Sequence, residues 1–159
     1  MYELNDDGKK ILTGSYEDGR KSGEWIFWDN DVKSILVKNN YLNGVIHGKS
    51  VHYFDTGEKL RVEEFKYGIK DGKSKYFHEL SKSIKSRGNW KNGKRNGEWN
   101  YYWLNQSKWG DVNYLDGELV GVLKLYNVNG VFSKSINCDI EDCDYWVMKE
   151  FKLLDIPNL

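Results

Sequence analysis

The chain has 159 residues, enough for one domain with a real core and too few for two comfortable ones. Its 24 Lys plus Arg balance 24 Asp plus Glu, which removes any general attraction to nucleic acid or to an anionic membrane while leaving local patches open. With 15% aromatic residues and sixteen Gly against a single Pro, the composition describes strands joined by tight turns and excludes a helical or disordered chain.

Met1 to Lys10 is polar and acidic, so no secretory leader is read there and a cytoplasmic setting is expected. No apolar run approaches the roughly eighteen residues of a membrane-spanning helix. Asp7-Gly8 reads as the second turn of an incomplete unit. Five complete units follow. Each opens on an aromatic residue (Tyr16, Tyr41, Phe65, Trp90, Tyr114) with glycine three positions later (Gly19, Gly44, Gly68, Gly93, Gly117). A second glycine follows four further on (Gly23, Gly48, Gly72, Gly97, Gly121), and the units are spaced by 25, 24, 25 and 24 residues. A fixed period of this size marks a repeat architecture.

The residue before the first glycine is Asp18, Asn43, Tyr67, Asn92 or Asp116. Asn-Gly and Asp-Gly are the strongest short hairpin signals, because both residues tolerate positive φ. The second glycine sits where the returning strand begins, at positive φ or at a close approach. Five positions past it stands an aromatic in every unit (Trp28, Tyr53, Phe77, Tyr102, Tyr126), and a second turn follows. Each unit is therefore two strands and two turns. The expected fold is all-β: an elongated antiparallel meander of stacked hairpins over 1–137, with roughly eleven strands and a length on the order of 50 Å.

The pattern stops at Ile136-Asn137, and residues 138–159 are read as a C-terminal cap over the last edge. The tail opens on Asp139, Glu141, Asp142 and Asp144, then places Trp146, Val147, Glu150, Phe151 and Leu154 at helical spacing, so helix is preferred to strand. Cys138 and Cys143 are expected as free thiols in a chain without a leader. His47, His52 and His78 show no ligand spacing, and no metal or other cofactor is expected.

The run Trp90-Lys91-Asn92-Gly93-Lys94-Arg95-Asn96-Gly97-Glu98-Trp99-Asn100-Tyr101-Tyr102 resembles the MORN-type repeat, closest to the bacterial variant of YwqK-type antitoxins. Trp90, Asn92, Gly93, Lys94, Gly97, Trp99 and Tyr102 carry the resemblance. The other units match more loosely, and together they cover Gly8 to about Asn137. Ser50 and Ser74 depart from it, standing where Trp25 and Trp99 occur in other units. The resemblance implies an elongated sheet of stacked hairpins and supplies no catalytic residue. Similar repeats occur in antitoxins, membrane-contact proteins, lipid kinases and a SET-domain methyltransferase.

Adjacent rings such as Phe27-Trp28 and Tyr101-Tyr102-Trp103 put aromatics on both faces of the sheet. Two readings stay open: shielding by twist and long side chains, or one face as a recognition surface. Aromatics that the repeat does not demand, Phe54, Trp103 and Trp109, are the candidate partner contacts. Basic residues gather at Lys82, Lys85, Arg87, Lys91, Lys94 and Arg95. Lys91, Lys94 and Arg95 form a candidate patch for an anionic ligand, weighed against an ordinary solvated hairpin loop. No phosphate loop, nucleophile motif or distinctive carboxylate pair occurs, so no enzyme is expected. The function expected is protein binding, an antitoxin or immunity protein that occludes a toxin. The alternative is a scaffold touching anionic lipid headgroups, and no nucleic acid partner is expected.

Overall fold

The computed structural model describes residues 2–141 and 143. Those residues form twelve strands, hydrogen-bonded in chain order as one antiparallel sheet. The strands are β1 (Tyr2–Leu4), β2 (Lys10–Glu17), β3 (Arg20–Trp28), β4 (Ile35–Leu42), β5 (Val45–Tyr53) and β6 (Lys59–Lys66). They continue as β7 (Ile69–Phe77), β8 (Ile84–Lys91), β9 (Lys94–Tyr102), β10 (Lys108–Leu115), β11 (Glu118–Tyr126) and β12 (Phe132–Asn137). The expected meander forms, and the strand beyond the eleven is β1, which pairs with β2 across the Asp7-Gly8 turn.

Each repeat opens with a two-residue hairpin tip. Tip residues take positive φ in pairs, such as Asp18 and Gly19 at 47° and 73°, which is the type I′ loop that matches strand twist. The second glycine lies inside a strand rather than at its start. Thr13 pairs with Ile26 and Ser15 with Ser22, so three residues of β3 stand against Gly14, and Gly23 at positive φ allows the bulge. The same irregularity recurs in every later repeat. Each tip also bends onto the one before it. The N–H groups of Gly44, Gly68, Gly93 and Gly117 donate to Lys21 O, Ile46 O, Lys70 O and Arg95 O at 2.9, 2.7, 2.8 and 2.9 Å.

One face of the sheet carries the core. The position two past the second glycine is buried in every repeat, whether it holds Trp25, Ser50, Ser74, Trp99 or Leu123. The facing position on the preceding strand is Gly14, Asn39, Glu63, Gly88 or Val112 in the same order. Volume is thus exchanged between the two: tryptophan lies against glycine, serine against Asn or Glu, and leucine against valine. A Cβ on Gly14 or Gly88 would stand 2.1 or 2.2 Å from the indole, inside any real contact. The rings then meet edge to face across strands, Trp25 with Tyr16 at 5.0 Å and Trp99 with Trp90 at 5.7 Å. The recurrent aromatics Trp28, Tyr53, Phe77, Tyr102 and Tyr126 are half-buried.

After β12 the chain reverses, bringing the Cα atoms of Cys138 and Cys143 to 5.1 Å. The two cysteines are joined in a disulfide rather than free, because the reversal puts both within bonding reach. Cys143 is buried against the cluster built on Trp99, Tyr101 and Leu123. The expected helical cap over Trp146 to Leu154 lies outside the described residues.

Candidate functional site

The ring face is the first place to look. Cross-strand pairs there set rings beside cations: Tyr16 with Lys21, Phe65 with Lys70, and Trp90 with Arg95. Lys21 Nζ lies 4.4 Å from the Trp25 ring centre and 5.4 Å from that of Tyr41. Arg95 Cζ lies 4.8, 5.3 and 5.6 Å from the rings of Trp99, Tyr114 and Trp90. No carboxylate comes within ion-pair distance of Lys21 or Arg95 among the described residues. Their charges are held by ring faces instead. The rings therefore already serve the chain's own cations, and this face is mostly closed scaffold.

A charged cluster fills the third repeat, where serine replaces tryptophan. Glu63 is 1% exposed. Its carboxylate takes a 2.7 Å hydrogen bond from the Tyr76 hydroxyl and ion pairs from Lys70 Nζ at 2.7 Å and Arg61 Nε at 3.3 Å. Burial alone would raise its pKa, but the hydrogen bonds from Lys70 and Tyr76 and the charges of Lys70 and Arg61 hold it below the usual carboxylate range. Burial, then the hydrogen bond to Glu63, pushes the Tyr76 hydroxyl well up. Burial and the Arg61 charge push His52 down, so it stays neutral. An ionised carboxylate satisfied on three sides, beside a neutral histidine, holds charge still rather than moving a proton. In the second repeat Asn39 does the milder version, accepting from Ser50 Oγ at 2.7 Å.

The sequence candidates fall in different places. Trp109 is 2% exposed and leaves no surface for a partner. Lys108 pairs with Tyr102 and Gly110 with Tyr101, so Trp109 is the extra residue of a bulge and turns its ring onto Tyr101 at 5.8 Å. Trp103 is half-buried against the core and donates Nε1 to Tyr126 O at 3.4 Å. Phe54 is half-buried at the 54–58 turn, with Lys82 Nζ at 5.7 Å from its ring. Lys91 and Lys94 are exposed and paired across the fourth tip. Arg95 belongs to the ring face and not to the loop, where its Nη1 donates to the Tyr114 hydroxyl at 3.2 Å. The anionic-ligand patch is therefore reduced to two lysines.

Comparison with known proteins gives little to set beside this geometry. No family model matches the chain, and no characterised protein matches it by sequence. Among solved structures, a chain from the GtfA/B complex bound to UDP and GlcNAc is similar at 8% identity with a TM-score of 0.32. The match covers 87% of this chain and 26% of that one. A likeness this slight carries no argument about the function of this chain.

Many of the exposed apolar side chains lie instead on the two turn edges of the sheet. On the tip edge, Leu42, Val45, Tyr67, Ile69 and Leu115 are 38%, 42%, 62%, 52% and 60% exposed. On the opposite edge, Leu80, Leu104, Val128 and Val131 project from the second turns. Tyr67 is the departure among the tips. It occupies the position held elsewhere by Asn or Asp, at φ 49°, where a bulky residue costs about 1–2 kcal/mol. The second tip holds it in place: the Tyr67 ring lies 4.8 Å from that of His47, and its N–H donates to His47 Nδ1 at 3.3 Å. On the other side a Cβ on Gly93 would meet Ile69 Cγ2 at 3.4 Å, so the third tip also rests on the fourth. The sequence signal was present in the replacement of Asn or Asp by Tyr67.

Proposed function

We propose that the protein is a non-enzymatic binding module that engages another protein through the turn edges of its sheet. The observation that carries this is the placement of large apolar side chains, Tyr67 and Leu104 among them, on edges rather than in the core. Tips stitched to their neighbours by backbone hydrogen bonds are already in position, so little order has to be gained on binding. Steric occlusion of a toxin, as an antitoxin or immunity protein of the MORN-type class, is the narrower form of this reading and rests on the resemblance of Trp90 to Tyr102.

Co-expression with the product of the adjacent gene tests the narrower form. Rescue of growth by the chain, and loss of rescue on changing Tyr67 and Leu104, supports it. Growth unaffected by the chain refutes it. The cytoplasmic setting expected from the sequence stands against the Cys138–Cys143 bond, because thiols are kept reduced there. Alkylation of the protein in intact cells decides between the two.

A second reading, contact with anionic headgroups, is favoured by Lys91 and Lys94 at the exposed fourth tip. Salt-sensitive sedimentation with anionic vesicles, abolished by Lys91→Glu with Lys94→Glu, supports it. Vesicle binding that ignores both substitutions refutes it.

A further inference from the structure

The tip edge is not uniform in charge. The second, third and fourth tips (42–45, 66–69 and 91–94) hold Lys66, Lys91 and Lys94 and no Asp or Glu. The flanking first tip holds Glu17 and Asp18 with Arg20, and the fifth holds Asp116 and Glu118. A chain with no net charge thus has a basic middle and acidic ends along one edge. Two carboxylates on the strands that carry these tips accept backbone hydrogen bonds and keep their charge. Glu64 Oε2 accepts from Lys73 N at 2.8 Å, and Asp71 Oδ2 from Asn92 N at 3.0 Å.

Four of the exposed apolar residues of this edge fall in the same stretch, and Leu115, 60% exposed, closes the fifth tip. Leu42 and Val45 close the second tip and Ile69 closes the third, beside Tyr67. Apolar contact at the second and third tips therefore adjoins positive charge at the third and fourth. Tyr67 is held there against backbone strain by His47, a cost with no benefit to the hairpin itself. The complement of such an edge alternates acidic and apolar side chains.

We propose that the second to fourth hairpin tips form a docking edge for an acidic, amphipathic segment of a protein partner, with Tyr67 as its anchor. This rests on the reading of the chain as a protein-binding module. Tyr67 and Ile69 supply apolar contact, and Lys66, Lys91 and Lys94 set the polarity of what can lie across them. The acidic first and fifth tips repel a segment that slides out of register.

The test uses the full chain and three probes. One is a labelled twelve-residue peptide alternating Glu with Leu and Phe, one the same peptide with Lys for Glu, and one phosphatidylserine–phosphatidylcholine vesicles. The acidic peptide is expected to bind, more weakly as salt rises, with amide shifts confined to the three tips. The Lys peptide is expected to bind at least about tenfold more weakly. Tyr67→Asn restores the residue type of the neighbouring tips, so the fold persists, yet acidic-peptide affinity should fall roughly tenfold or more. Equal affinity for both peptides, or no loss on Tyr67→Asn, overturns the proposal. Shifts centred on Leu80, Leu104 and Val128 overturn it too, but leave the protein-binding reading standing. Vesicle binding with neither peptide bound sinks both.

Discussion

Replacing Gly88 by valine tests whether volume is shared between neighbouring strands. A Cβ there would fall 2.2 Å from Trp99 Cδ2, and ordinary contact begins near 3.4 Å, so the indole must retreat by about 1.2 Å. Trp99 Nε1 lies 3.1 Å from Asn89 O, and a retreat of that size breaks the bond. Overpacking costs about 1–3 kcal/mol and a buried N–H without an acceptor about 1–3 kcal/mol more. Gly88→Val alone should therefore lose about 2–6 kcal/mol. Trp99→Leu alone leaves a cavity at a fully buried site and should lose about 2–4 kcal/mol. Together they reproduce the Val112 and Leu123 pair of the fifth repeat. The double variant should recover roughly 2 kcal/mol relative to the sum of the singles. Urea midpoints at constant slope measure all three. Losses that add to within about 0.5 kcal/mol would refute the exchange of volume between strands.

Three further outcomes follow from the same contacts. Tyr67→Asn should raise stability by about 1 kcal/mol, read as a higher urea midpoint, because it relieves positive-φ strain at an exposed site. Folded His52 and His78 both titrate below the ordinary 6.5, chiefly through burial, so their contribution is complete above that pH and is lost as pH falls through their folded values. Glu63 adds a second loss below its ordinary 4.5, and midpoints measured from pH 7.5 to 3 should show two steps, the lower one absent in Glu63→Gln. Trp109→Ala should cost about 3–5 kcal/mol while Leu104→Ala, 52% exposed, stays within about 0.5 kcal/mol, and equal losses would contradict their placement.

The hairpin tips were legible because Asn-Gly and Asp-Gly state a backbone conformation directly, and the period then places every strand. Burial was less legible. Alternation puts Glu63 on the face of Phe65, two residues later, but a carboxylate does not read as core, and only the neighbouring Arg61, Lys70 and Tyr76 satisfy it there. Gly14 and Gly88 do not recur in every unit, so nothing in the period singles them out; their role appears only beside the indoles they admit. Trp109 escaped for another reason. It departs from the repeat, which suggested a free contact residue, but a bulge reverses the face on which it lies. Arg95 was read as loop because it follows the tip by two residues, yet its strand has begun by then. The tip edge was half legible: Tyr67 is visibly out of place, while its neighbours Val45 and Ile69 look like ordinary strand residues.

The hydrogen bond from each tip glycine to the carbonyl two residues past the previous tip glycine joins like to like. Every repeat from the second to the fifth offers the same donor, and every one from the first to the fourth the same acceptor. A whole unit added or removed between them would leave these junctions intact, and the second turns absorb the single residue by which units of 24 and 25 differ. Length in this molecule is therefore quantised. The chain can grow or shrink by a complete hairpin pair, and a change of reach along either edge comes in steps of two strands, about 10 Å.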